Sequence, residues 1–119
     1  MKTKNELKQE YKQMKFVMGV FQIRNTLNNK IFIDSSANIN AKKNRLTLQL
    51  DIGSHPITAL QHDWKELGAD KFVFETLGEV EQNETETVDY DKEIKMLEAM
   101  YLEDLQPYDD KGYNKRPKQ

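Results

Sequence analysis

A carboxylate on an apolar helix face is the first feature of chemical interest. Setting the residues from Tyr90 to Leu105 at helical intervals groups Tyr90, Ile94, Leu97, Tyr101, Leu102 and Leu105 on one broad apolar face. Glu98 falls inside that face, next to Ile94 and Leu102. A carboxylate there must be desolvated, paired or bound to a cation, because burying it alone costs several kcal/mol. The plainer reading has it at the edge of the stripe, curling out to water or pairing with Lys95. The other polar candidates are sparser. His55 precedes Pro56 in GSHP and can cap a helix, while His62 lies beside an apolar stripe and is expected to be exposed. Two histidines without a third spaced ligand do not make a zinc site. Ser35 and Ser36 have no neighbouring partnership of His and acid, and no glycine-rich phosphate loop is present, so a generic hydrolase triad finds no support.

These groups need elements to position them. MGVFQIRNTLNNKIFIDSS (Met18–Ser36) is two apolar runs joined by a polar loop, which predicts a β-hairpin of Gly19–Arg24 and Lys30–Ser35, where Asn28-Asn29 can adopt the left-handed conformations a tight turn requires. Its two phenylalanines, Phe21 and Phe32, are either core residues or occupants of catalytic positions. Asn38–Asp51 is predicted helical, with Ile39, Leu46 and Leu50 roughly in line. Pro56–Leu67 is the clearest helix: Pro56 suits the first helical position, Gly68 the stop, and Ala59, Leu60, Trp64 and Leu67 form the stripe. Lys71–Leu77 reads as a third strand, Glu81–Asp89 as a solvated linker or mobile loop, and Asp91–Leu105 as the last helix. Ahead of all these, residues 4–15 place Leu7, Tyr11 and Met14 on one face of an amphipathic helix. The order helix, strand, strand, helix, helix, strand, helix predicts a small α+β fold whose sheet is flanked by helices.

Composition limits what such a unit can do. With 119 residues, 37% hydrophobic and 32% charged, the chain is expected to form one soluble domain with a modest core. It has no cysteine, hence no disulfide and no thiolate nucleophile. No apolar run reaches the ~18 residues of a membrane span, and MKTKNELKQEYKQMK lacks a signal peptide's apolar stretch, so a cytoplasmic location without membrane association is expected. The net charge of −2 conceals an acidic stretch from Glu75 to Asp110 and basic clusters at Lys2–Lys15, Lys42-Lys43-Arg45 and Lys111–Lys118. That balance argues mildly against a duplex-DNA binder with many phosphate contacts, while the local basic patches leave DNA contact open.

Taken in order, these pieces resemble the GIY-YIG nuclease superfamily. Gly19-Val20-Phe21 stands where that family has Gly-Ile-Tyr, and Phe32-Ile33-Asp34 where it has Tyr-Ile-Gly. The following SSANI resembles Ser-Ser-x-Asn-Leu. GSHPITALQHDWKELGADKFVFETL is similar to Gly-x-His-x-Asn-x-x-Leu-Gln-x-Asp-Trp running into an aromatic-alternating strand. Glu98-Ala99-Met100-Tyr101-Leu102 resembles Glu-x-x-aromatic-aliphatic, and Gly112-Tyr113-Asn114 the closing Gly-Tyr-Asn. The resemblance divides the chain into an N-terminal helix (1–17), a nuclease-like domain (18–114) and a basic tail (115–119). It implies a three-stranded antiparallel sheet flanked by helices, hydrolysing a DNA phosphodiester with one divalent metal, Mg²⁺ or Mn²⁺. It further implies that Glu98 holds the metal, that His55 lies near the site and that Asn114 supports it.

The departures from the family are chemical. Phe21 and Phe32 replace both tyrosines and have no hydroxyl to transfer a proton. Asp34 replaces a glycine and brings a carboxylate to a site meant for a phosphodiester. The family also carries an arginine on the helix after its second motif to steady the phosphate charge; that position falls on Lys42, and the family's histidine four residues later is Leu46. A lysine supplies charge without the bidentate fork of a guanidinium; Arg45, one turn along, substitutes only if the helix shifts. The readings left are a weak or altered metal-dependent endonuclease using Glu98 with Lys42 or Arg45, a nuclease-like scaffold that binds nucleic acid or a protein without catalysis, and a small α+β domain whose Glu98 is structural.

Overall fold

The computed structural model describes residues 16–81 and 89–117. The amphipathic helix expected over residues 4–15 lies outside them, as does most of the expected linker. Within them the chain forms β1 (Met18–Asn25), β2 (Ile31–Ser36), α1 (Ile39–Ile52), α2 (Thr58–Leu67), a 3-10 turn (Ala69–Lys71), β3 (Phe72–Val80) and α3 (Tyr90–Leu105). The sheet has the order β2-β1-β3 with both pairings antiparallel. No helix among the described residues is long and apolar enough to cross a membrane.

Strand alternation divides the buried residues between two faces. Phe21 lies across from Asp34 and Thr76, and Ile23 across from Phe32 and Phe74, so these share one face. Against it pack Ile39, Leu46 and Leu50 of α1 and Leu60 and Trp64 of α2, which form the main core with Phe72 and Tyr113. Val20 lies across from Ser35 and Gly78 on the other face, which α3 covers. Gly78 has to be small there, because an added Cβ would come within 2.8 Å of the Tyr101 hydroxyl.

Local chemistry explains most element boundaries. Asn38 caps α1 by accepting from the Ala41 N–H at 3.1 Å, Gly53 closes it with φ 83°, and Gly68 ends α2 with φ 94°. Pro56 does not open α2, which begins at Thr58. The N–H of Ile57 donates to His55 Nδ1 at 3.1 Å and that of His55 to Gln61 Oε1 at 3.0 Å, which holds Pro56 in a bend ahead of the helix. Ala59 is exposed, outside the buried stripe. In the hairpin loop only Asn29 is left-handed, at φ 63°, because fully buried Asn25 already shapes the turn by accepting from the Leu27 N–H. β3 runs on to Val80, three residues past its expected end, held by pairing with the start of β1.

The chain's last turn covers the free edge of β2. Tyr113 N–H donates to Ile31 O, and the Asn114 side chain grips both backbone groups of Ile33, accepting from its N–H at 2.8 Å and donating to its O at 2.9 Å. Such an edge would otherwise be a template for further pairing. The Tyr113 hydroxyl accepts from Asn25 Nδ2 at 3.0 Å and donates to Asp63 Oδ2 at 2.7 Å. Burial, helped by that nearby carboxylate, pushes the phenol up to about 12, so it stays a neutral donor.

Candidate functional site

Between β2, α1 and the loop before α2 lies a cleft of about 320 Å³ whose lining includes Phe32, Asp34, Lys42, Arg45, Gln49 and His55. Two periodicities bring these side chains together. Phe32 and Asp34 are two apart on β2 and leave the same face. Lys42, Arg45 and Gln49 follow one another at spacings of three and four along α1, hence on one side of it. No shift of the helix is needed for Arg45 to reach the cleft. A second recess of about 240 Å³, bordered by Ser36, Asn38 and Ala41, shares Lys42 and Arg45, so the two cations stand between the hollows. Gln49 was legible at helical spacing from Lys42; Ser36 was visible only as part of the SSANI run.

Charge inside the cleft is partly self-cancelled. Asp34 Oδ2 lies 3.6 Å from Lys42 Nζ, with both side chains about three-quarters buried. The other oxygen, Oδ1, accepts from the Ser35 N–H at 2.8 Å, which fixes the carboxylate's direction. His55 is buried and meets the edge of the Phe32 ring, with centroids 5.7 Å apart and planes at 87°. Its Nδ1 accepts from Ile57, so its lone pair is in use and the ring is fixed as the neutral form. Burial holds its pKa below the ordinary 6.5, and Asp34 pulls the other way. The folded-state value is therefore below the unfolded one, and the stability this histidine contributes is complete above pH 6.5 and lost as pH falls through its folded value. The urea midpoint is expected to drop on acidification below about pH 6.5. That drop shrinks in His55→Gln, and an unchanged slope in the variant would refute the assignment.

The remaining expected site residues are elsewhere. Phe21 is fully buried and stacks on Phe74 at 6.4 Å, so it is core. Gly19 is required where β1 and β3 come close, and Asn114 is an edge clamp. Glu98 does not line the cleft. Its Oε2 accepts from the Ser35 hydroxyl and lies 3.8 Å from Lys95 Nζ, while its side chain stays 19% exposed. Ser35 and Asp34 are successive on β2 and leave opposite faces, so the two carboxylates reach the strand from opposite sides. Glu98 thus turns inward to the sheet and also makes the pairing with Lys95 that its helix spacing allows. Lys95 is 70% exposed, which leaves that ion pair weak.

No family model matches the sequence, and no curated protein does. Two solved structures are similar over most of the chain. The catalytic domain of the homing endonuclease I-TevI superposes with a TM-score of 0.69 at 26% identity, over 84% of this chain and 99% of that one. A mutant of the catalytic domain of intron endonuclease I-TevI gives a TM-score of 0.69 at 25% identity, over 83% of this chain and 93% of that one.

Proposed function

We propose that this divergent member of the GIY-YIG nuclease superfamily engages nucleic-acid phosphates through the cleft of Lys42 and Arg45 and cleaves them weakly at most. The nuclease-like domain itself is plain from the fold and its neighbours. The reading of its chemistry is carried by one observation, the Asp34–Lys42 pair at 3.6 Å. A carboxylate placed beside the cleft's inner cation repels the anion that the cation would otherwise attract, and it leaves Arg45, which is exposed, as the better phosphate contact.

Proton transfer is similarly weakened. Phe21 and Phe32 supply no hydroxyl, and one of His55's two nitrogens is committed to Ile57. Loss of a positioned general base alone costs roughly 10²–10⁴ in rate. GIY-YIG nucleases are generally dependent on a divalent metal. The donor set of the described residues offers no cage of protein ligands for such an ion, and the carboxylate that the family resemblance assigns to it, Glu98, is engaged at one of its oxygens. Among the described residues no three of His, Asp and Glu gather as ligands, and Oε2 of Glu98 is shared by a hydroxyl and an ammonium. A divalent ion of the Mg²⁺ kind accepts one or two carboxylates, but these must be free to face it.

The test pairs cleavage with binding. Incubated with supercoiled plasmid and Mn²⁺, the parent and Glu98→Ala are expected to nick equally little, while both bind DNA with an affinity that falls as salt rises. Vigorous nicking that disappears in Glu98→Ala would overturn the catalytic half of the reading. A flat dependence of log affinity on log salt would overturn the phosphate half.

A further inference from the structure

On the face of the sheet away from the cleft, α3 and the end of β3 border an open groove of about 390 Å³. Its apolar lining is Val80, Leu97, Met96 and Met100. The two methionines are one helical turn apart and 60% and 63% exposed. Large apolar side chains exposed side by side form a patch rather than scattered singles, and such patches mark interaction surfaces. The rest of the lining is acidic, namely Glu79, Glu81 and Glu93. One turn past Met100, exposed Glu103 and Asp104 continue the row along α3. The two lysines of α3 line no part of the groove, and Lys95 pairs with Glu98.

Charge decides which occupant fits. The acidic rim repels a nucleic acid or an anionic lipid surface. A second copy docking this patch on itself would bring glutamates against glutamates. A helix whose apolar stripe is edged by Lys or Arg satisfies both parts of the surface. Its stripe meets the methionines, whose flexible thioethers repack around it, and its cations meet the rim. From Glu93 to Asp104 the row runs about 16 Å, room for about three turns of such a helix. We infer that this groove is the docking surface for a basic amphipathic helix of a partner protein. The inference is independent of whether the cleft cleaves or binds nucleic acid.

The probe is a synthetic leucine–lysine peptide of about 14 residues, long enough to fold as a helix on binding, with its leucines at helical spacing. The control peptide has the same composition with leucine and lysine alternating, hence no helical stripe. The full chain has five methionines, so ¹³C-methyl methionine labelling gives few signals, assigned by substitution. The stripe peptide is expected to move the Met96 and Met100 methyl signals and to bind at least about tenfold more tightly than the control. Met96→Gln with Met100→Gln should weaken that binding about tenfold. Glu79→Gln with Glu93→Gln should flatten its dependence on salt, because fewer charges remain to be screened. All four side chains are exposed, so the substitutions spare the core. Equal binding of the two peptides would overturn the inference in favour of diffuse attraction to an acidic surface. Met96 and Met100 signals that stay in place at saturating peptide would overturn it in favour of a groove filled by the chain itself or of binding elsewhere. A concentration-dependent rise in mass without peptide, abolished by the methionine pair of substitutions, would overturn it in favour of a second copy as the occupant.

Discussion

Gly19→Ala is expected to lower the unfolding free energy by about 3–5 kcal/mol, a large part of the ~5–15 kcal/mol typical of a domain. A Cβ at this position would meet the carbonyl oxygen of Gly78 and come within 2.9 Å of Glu79 Cα. Both are backbone atoms of β3, so no rotamer change relieves the clash. The strands must separate, and Gly19 pairs with Ser36 on one side and Glu79 on the other. Overpacking typically costs ~1–3 kcal/mol. The backbone adds its own strain, since φ here is 150° and an L side chain tolerates that poorly, at ~1–3 kcal/mol. Gly53→Ala is the informative control. Its φ of 83° is also left-handed, but the added Cβ would meet only the Lys65 side chain, at 3.1 Å, and that chain can swing away. About 1 kcal/mol is expected there. Urea unfolding of the three proteins gives the comparison, and a Gly19→Ala midpoint no lower than that of Gly53→Ala would show that the sheet can absorb the methyl. In the family resemblance this glycine opens the first motif, and the clash explains its presence without any catalytic role.

What was legible in the sequence follows the range of the interactions concerned. The hairpin, α1, α2 and α3 are encoded within a few residues of themselves, by alternation, by the Asn38 cap, by the Asp89 side chain that accepts from the Lys92 N–H at the start of α3, and by Gly53 and Gly68. The three-residue extension of β3 was hidden because Gly78 and Glu79 read as strand-ending residues, and what keeps them extended is β1, almost sixty residues away in sequence. Glu98 illustrates the same limit more sharply. Its intrusion on an apolar face marked it as unusual, yet its partner Ser35 lies 63 residues earlier, so only the tertiary packing shows which face of β2 it meets. The two phenylalanines fill matching motif positions and both belong to the core, but only Phe32 also borders the cleft, against His55, whereas Phe21 stacks on Phe74. Both share a sheet face, but Phe21 is on the central strand and Phe32 on the edge strand. The presence of a cleft was thus foreseeable from the order of motifs, but its membership was decided by strand parity and sheet order.

Strand parity also shapes the second large effect, Asp34→Asn, which is expected to tighten DNA binding by ~10- to 100-fold at low salt. Two unit charges 4 Å apart interact by about 1 kcal/mol in water and about 4 kcal/mol at an effective dielectric constant near 20. Asp34 and Lys42 are 23% and 26% exposed, so the operative value lies between those limits. Removing the carboxylate therefore acts twice: it frees Lys42 Nζ for a phosphate and removes repulsion from the cleft wall. Asparagine keeps the strand geometry and the oxygen that accepts from the Ser35 N–H, so β2 should be preserved. One newly engaged phosphate steepens the slope of log affinity against log salt by about 0.9. The double variant Asp34→Asn with Lys42→Ala should lose most of the gain, because the cation being released is then absent. His55 offers a readout that does not depend on DNA: Asp34 raises its pKa, so the substitution should lower it further, measurable by NMR titration. An affinity that is unchanged or weaker in Asp34→Asn, with the His55 shift present, would mean that the cleft does not receive the phosphate even when Lys42 is free. If instead Asp34→Asn abolished a metal-dependent activity of the parent, the carboxylate would be a working ligand, and the self-cancelled cleft would have been the wrong account of why it replaces a glycine.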